Sequence, residues 1–383
     1  MPTKLDGWEE YELGQLLNYE QPSPYIVKST NYSDTYSTPV LTAGKSFIIG
    51  YTDETVGIYN SLPVIIFDDF TTSSQYVNFP FKVKSSAMKI LSPNVELVLP
   101  KFIYYRMQII QFDHSTHKRY WIQQYSKIKV QIPSIPEQER IVSKIEELFS
   151  RLDASVAELQ TAKKKLKGYR QIVLREAFSC IKNKVFLRSL FDGTPQNGIY
   201  KPKSAYGDGT RILRIDGFYD GFINSEYLYK RVSLSQEEIQ KYGLNLFDLV
   251  INRVNSMPYL GKCALVRHIS EPTVFESNIM RVRLNSEIVF PEYITYFLTS
   301  DEGRKELIKN SKQAVNQASI NQTDVGNVLV PLPADIALQK QIVSRLESQL
   351  SVCNGIEQTI GTSLQQAEAL RQSILKQAFE GKL

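Results

Sequence analysis

Few residues of this chain are arranged for chemistry. The most enzyme-like pair is Asp68-Asp69, two carboxylates after the apolar run Val64-Ile65-Ile66-Phe67, which could hold magnesium in a nuclease. Adjacent residues on a strand point to opposite faces, so the pair could not act together without a turn, and a structural turn or a base acceptor is the stronger expectation. Ala43-Gly44-Lys45-Ser46 ends like a phosphate-binding loop, but the first glycine of GxxxxGK[ST] would fall at Pro39. His114, His117 and His268 lack metal-ligand company. Cys180, Cys263 and Cys353 are too widely spaced for a CxxC cluster and odd in number for a disulfide framework. No glycine-rich cofactor fingerprint follows a strand, and no Asn-Pro-Pro-Tyr run for amino methylation occurs. The expectation is a chain that catalyses nothing and carries no metal or cofactor of its own.

The elements that would position any binding groups are easier to read. The 383 residues are 42% apolar and 22% charged, enough for two or more cored domains, with a net charge of +5 that suits a polyanionic partner only weakly. No apolar run approaches the ~18 residues of a membrane helix. The first residues do not form a signal peptide, so the expected location is the cytoplasm.

A repeat offset by 201 positions organises the chain. Ile141-Val142-Ser143-Lys144-Ile145-Glu146 returns as Ile342-Val343-Ser344-Arg345-Leu346-Glu347, and Arg170-Gln171, Leu174 and Ala177-Phe178 return as Arg371-Gln372, Leu375 and Ala378-Phe379. Both copies predict long helices. In the first, apolar residues recur at Ile141, Ile145, Leu148, Leu152, Val156, Leu159, Ala162, Leu166, Tyr169, Val173 and Ala177. In the second they recur at Ile342, Leu346, Leu350, Cys353, Ile360, Ala367, Leu370, Ile374 and Ala378, with Gly355 and Gly361 as local weak points. An apolar stripe ~60 Å long needs a partner, and the other copy is the nearest one.

The remaining chain falls into two comparable blocks. Leu13, Leu16 and Leu17 open one; Leu187, Leu190 and Phe191 open the other. Ser85-Ser86-Ala87-Met88-Lys89-Ile90 resembles Ser277-Asn278-Ile279-Met280-Arg281-Val282, and Pro100-Lys101-Phe102-Ile103 resembles Pro291-Glu292-Tyr293-Ile294. Runs such as Phe47-Ile48-Ile49, Val64–Phe67 and Leu249-Val250-Ile251 predict strands, and 101–111 and 291–309 predict helices. The expected fold is α+β: two mixed α/β domains alternating with two long helices paired as an antiparallel coiled coil, in a pseudo-twofold internal duplication. The expected blocks are 1–132, 133–183, 184–330 and 331–383.

This organisation resembles the specificity subunits of type I restriction-modification systems over nearly the whole chain. Its most specific parts are Ile132-Pro133-Ser134-Ile135-Pro136-Glu137-Gln138-Glu139-Arg140-Ile141-Val142 and Val330-Pro331-Leu332-Pro333. The helices that follow end in Leu174-Arg175-Glu176-Ala177-Phe178 and Leu375-Lys376-Gln377-Ala378-Phe379. The first block also resembles target recognition domains through Tyr19-Glu20-Gln21-Pro22, Pro39–Lys45, Ile65–Thr71 and Lys84–Lys89. The second copy departs from the first by three extra residues between Pro331 and Ile342, and by its glycines. The resemblance implies that each domain reads one half of an asymmetric bipartite site on double-stranded DNA. It implies that the helices set the gap and dock two modification (methyltransferase) subunits, and that restriction (motor-nuclease) subunits join them. S-adenosylmethionine, ATP and magnesium would then sit on those partners.

Readout needs donors and acceptors at base edges, and positioning needs contacts to phosphate. In the first domain the candidates are Thr42, Gly44 and Lys45; Thr71, Thr72, Ser73 and Gln75; Lys84, Ser85, Ser86 and Lys89; and His117, Lys118 and Arg119. In the second they are Lys201, Lys203, Arg211 and Arg214; Asn252, Arg253 and Asn255; and Lys312, Gln313, Asn316 and Gln317, with Asn321 nearby. The competing expectation is a standalone DNA-binding or scaffold protein, for which the duplicated helices would serve equally well.

Overall fold

The computed structural model describes residues 5–44, 46–112 and 119–383. The chain forms two compact units: residues 1–160 with 361–383, and residues 161–360.

In the first unit the apolar run is the strand Val64–Asp68, second from one edge of a four-stranded antiparallel sheet. Across that sheet the strands are Leu17–Glu20, Met88–Pro93, Val64–Asp68 and Ser74–Val77. Its unbroken apolar sequence has a simple cause: both faces are covered. Ile65 and Phe67 enter a core with Leu91, Phe102, Trp121 and Tyr125, whereas Val64 and Ile66 enter another with Leu41, Val77, Phe81 and Ile90. Thr38–Leu41 is the centre of a second sheet, antiparallel to Ile48–Thr52 and parallel to Lys82–Val83. Glu9–Glu12 pairs with Lys129–Ile132. The helix Pro100–Met107 begins on a proline, whose missing N–H costs nothing there.

The second unit repeats this plan. Leu249–Asn252 lies between Ile279–Val282 and Cys263–Leu265, and Gln196–Asn197 completes the sheet. Leu249 and Ile251 face one core and Val250 another. Tyr206–Leu213 again sits between an antiparallel neighbour, Lys230–Val232, and a parallel one, Thr273–Phe275. Lys184–Phe186 pairs with Leu329–Pro331. The helical stretch predicted over 291–309 is broken into Pro291–Thr299 and Asp301–Ile308, because Ser300 leaves the helix and caps the next one through the Gly303 N–H. The predicted duplication is therefore present in the topology and in the mixed helix and sheet of each half.

The long helices run Ile135–Ser179 and Ile336–Phe379. Each starts with a buried glutamine that holds the preceding chain. Gln138 donates to the carbonyls of Leu97 (3.0 Å) and Pro133 (2.9 Å) and accepts from Leu99 N–H (2.8 Å). Gln339, 201 positions on, donates to Ile288 (3.4 Å) and Pro333 (2.9 Å) and accepts from Phe290 N–H (2.8 Å). Pro133 thus corresponds to Pro333, not to Pro331, and the apparent three-residue insertion shrinks accordingly. Asp335, just before the second long helix, accepts from Ala337 N–H at 2.8 Å.

Helix contacts repeat in the same way. In the first unit Arg371 pairs with Asp153 and lies over the Phe149 ring at 4.3 Å. In the second Arg170 bonds Asn354 and Glu357, each at 2.7 Å. Three stripe expectations need correction: Tyr169 and Leu370 are both 50% exposed, and Ala162 is exposed. Burial shifts instead to Val142, Phe149, Leu174 and Phe178, where the helix covers its own globular domain as well as its partner. Among the described residues no helix is long and apolar enough to cross a membrane.

Candidate nucleic-acid interface

Three loops of the first unit meet at one end of the central strands of its two sheets. The loop after Thr38–Leu41 is tightened by Thr42, whose hydroxyl donates to Ser46 O (2.9 Å) and accepts from Gly44 N–H (3.3 Å). The loop after Val64–Asp68 is folded by Asp68, whose Oδ1 accepts from the N–H groups of Phe70 (2.9 Å) and Thr71 (3.0 Å). Thr72 in that loop has φ +56°, a left-handed conformation costly for a β-branched residue. The loop before Met88–Pro93 is tied to both: Lys84 N–H donates to Leu41 O, and Asp69 N–H to Ala87 O. Tyr120 N–H, beside the exposed Arg119, donates to Asp69 O. Residues of four sequence clusters are thereby gathered, with Thr71, Lys84, Ser86 and Arg119 exposed and Thr42, Gly44, Thr72, Ser73, Gln75 and Ser85 half-buried. Lys45, His117 and Lys118 lie outside the described residues.

Lys89 is a correction. It is 1% exposed, and its ammonium lies 3.4 Å from Asp69 Oδ2 and 3.0 Å from Gln21 Oε1. Asp69, equally buried, also accepts from Trp121 N–H at 2.8 Å. A side chain so enclosed has no route to a phosphate. Asp68 folds a turn and Asp69 balances a buried lysine, so the carboxylate pair has the structural role favoured over a metal site. Among the described residues no cluster of three or more histidine, cysteine, aspartate or glutamate residues is placed to hold a metal.

The second unit assembles the corresponding three loops. Arg214 follows Tyr206–Leu213, and its Nε donates to Glu276 Oε2 (3.0 Å), a bond that raises its pKa above the ordinary arginine value. Arg253 follows Leu249–Asn252, with Nη1 donating to Ser277 O (2.9 Å) and its pKa lowered by burial. The turn 276–278, equivalent to the loop at Ser85-Ser86, joins the two. Asn255 pairs with Ala318, bringing in the hairpin that carries Lys312, Gln313, Asn316 and Gln317 from about sixty residues away. Asn252 is the second correction: it is 1% exposed and points inward.

On the other side of Arg214 opens a cavity of about 720 Å³ lined by Lys201, Lys203, Tyr206, Tyr229, Lys230 and Arg231, among others. Lys201 is paired with Glu238 (2.7 Å), and Arg211 with Glu271 while lying over Tyr229 at 5.3 Å. Such half-exposed pairs are worth ~0–1 kcal/mol, so they can be exchanged for phosphate at little cost. Tyr206, Tyr229, Lys230 and Arg231 escaped the sequence reading. The run Tyr227-Leu228-Tyr229-Lys230-Arg231 carried the signal, since aromatic and basic residues interleave wherever bases and backbone are both contacted.

In each unit polar and basic loops gather at the same ends of the central strands, and a long helix follows, so the chain is an internal duplication of one α+β domain. The profile of the type I restriction modification DNA specificity domain matches residues 5–164 and 194–366, and the chain belongs to that family. It is similar to the specificity subunit of the type I restriction enzyme EcoR124I/EcoR124II from Escherichia coli, with 46% identity over 185 residues, 44% of this chain and 46% of that one. The specificity subunit of the StySPI enzyme from Salmonella potsdam is 28% identical over 313 residues, 77% of this chain and 66% of that one. The chain thus spans about half to two-thirds of these curated relatives. A solved chain from a study of complex assembly and conformational transition in the type I R-M system superposes with a TM-score of 0.72 over 100% of both chains, at 19% identity, which shows a shared fold.

Proposed function

We propose that this chain is the DNA sequence-specificity subunit of a type I restriction-modification complex and is itself non-catalytic. Its blocks are 1–132 and 184–330 as target recognition domains, and 133–183 and 331–383 as spacer helices. The observation that carries this reading is the convergence of separately encoded polar and basic loops at the same ends of the central strands in both domains. Each set of loops reads one half of a split, asymmetric site. Thr42, Gly44, Thr71, Thr72, Ser73, Gln75, Lys84, Ser85, Ser86 and Arg119 supply the contacts of the first domain, and Lys201, Lys203, Arg211, Arg214, Arg253, Asn255, Lys312, Gln313, Asn316 and Gln317 those of the second; Lys89 and Asn252 do not.

The helices pair as an antiparallel coiled coil. The pairs Arg371–Asp153 and Arg170–Asn354 support that reading, because their residue numbers rise along one helix as they fall along the other. This spacer sets the number of unread base pairs and docks two modification subunits, which bring S-adenosylmethionine and methylate adenine. Restriction subunits add ATP- and magnesium-dependent translocation and cleavage, and the complex works in the cytoplasm.

Base-resolution methylation mapping in cells expressing this chain with a modification subunit tests the reading. The expected result is adenine methylation in a split asymmetric motif that disappears without the chain. A properly assembled complex that methylates no such motif refutes it, and would favour a standalone DNA-binding or scaffold protein.

A further inference from the structure

The hairpin of the second unit carries a side chain that folding does not explain. Lys312-Gln313 pairs with Ala318-Ser319, and Ala314 N–H donates to Gln317 O (2.7 Å) to close the turn. Val254-Asn255 adds a third strand at its base, where Ala318 is 2% and Ile320 1% exposed. Beyond that anchored base, every residue from Lys312 to Gln317 is exposed, and Val315 at the tip is 99% exposed. A β-branched aliphatic residue turned wholly to water, among a lysine and three side-chain amides, contributes nothing to the core.

We infer that the exposed tip of this hairpin ribbon, residues 314–317, enters the major groove and reads an A·T pair. Val315 packs on the thymine methyl, and a neighbouring amide of Gln313, Asn316 or Gln317 bonds the paired adenine. The inference rests on the specificity role proposed above. Its chemistry is specific to that groove: thymine alone offers a methyl there, and Asn or Gln matches the adenine N6/N7 edge. Lys312 at the base of the ribbon faces the phosphate side of the same contact.

The test uses the full chain in complex with its modification subunit, bound to duplexes carrying the mapped site. Each thymine of the second half-site is replaced in turn by uracil, which removes only the methyl. The expected result is one position at which uracil weakens binding of the wild type several-fold. Val315→Ser should be indifferent there, and Val315→Thr, which keeps a methyl, should regain the response. If uracil affects the wild type and Val315→Ser equally at every position while the split motif is still methylated, the ribbon assignment is overturned and the specificity role stands. A wild-type complex with no split motif overturns both.

Discussion

Lys89 separates a structural charge from a DNA contact, and the two roles predict opposite results. Its ammonium is held by Asp69 and Gln21 inside the first domain, and both members of the ion pair are 1% exposed. Lys89→Met keeps the length of the side chain but leaves the Asp69 carboxylate buried, with the Trp121 N–H as its remaining neutralising donor at 2.8 Å. Removing one partner of a buried pair costs about 3 kcal/mol or more. For a unit of this size that corresponds to a fall of roughly 6–12 °C in thermal midpoint. Adding Asp69→Asn should recover part of the loss, because it removes the stranded charge. Salt titration of DNA binding gives the second readout: each phosphate that the protein no longer neutralises lowers the slope by about 0.9. The slope should be unchanged for Lys89→Met in protein that remains folded. Lys84→Met, at an exposed position of the same domain, should show the reverse: unchanged stability and a slope lower by about one. A Lys89→Met variant as stable as the wild type, with a reduced slope, would refute this reasoning.

Gln138→Leu and Gln339→Leu should each cost on the order of 3 kcal/mol, since each strands two carbonyls and one N–H inside the protein. Hydrogen exchange should show the first loosening only the unit that contains residues 97–99, and the second only the unit that contains residues 288–290. Glu54 is held below the ordinary carboxylate value of 4.5 by the Ser29 N–H, against the opposing push of burial, with help from the Lys28 N–H and the Lys82 ammonium. A lowered pKa stabilises the fold above that value, and the contribution is lost as pH falls through the folded pKa. The urea midpoint of Glu54→Gln should therefore lie below the wild type at pH 7 and converge with it as pH falls through the lowered folded pKa. Gly355 and Gly361 lie within the second long helix, with open space where a Cβ would be. Alanine at each should raise stability by about 1 kcal/mol, read as an increased thermal midpoint.

The duplication was legible because it is written in local periods. Apolar steps of three and four gave the long helices, and unbroken apolar runs gave the two-sided strands Val64–Asp68 and Leu249–Asn252. Less was legible where one residue faces two surfaces. A single stripe cannot describe a helix that meets its partner along one side and its own domain along another, so Tyr169 and Leu370 were misplaced and Phe149 and Phe178 were missed. Charge was ambiguous for a related reason. Lys84 and Lys89 lie five residues apart in one polar stretch, yet one is exposed in the loop and the other is sealed against Asp69, twenty residues upstream. The juxtaposition of Val254-Asn255 with Ala318-Ser319 is wholly non-local, and no pattern within either segment announces it.

What the two halves keep and what they change argues for an asymmetric target. They keep the frame: Gln138 and Gln339 fasten the same chain crossing, Arg371 and Arg170 make the same helix contact, and the three loops leave the same strands. They change the residues on those loops. At the first, the loops carry hydroxyls at Thr71, Ser85 and Ser86; at the second, the corresponding turns carry Arg214, Arg253, Ser277 and Asn278. Hydroxyls bond either member of a base pair, whereas arginine favours guanine and amides favour adenine. On the proposed function, a frame held constant under different reading groups would keep the geometry of engagement common to both halves while the bases read differ. Exchanging these loops in one half should therefore change one half of the methylated motif and leave the other half and the gap intact.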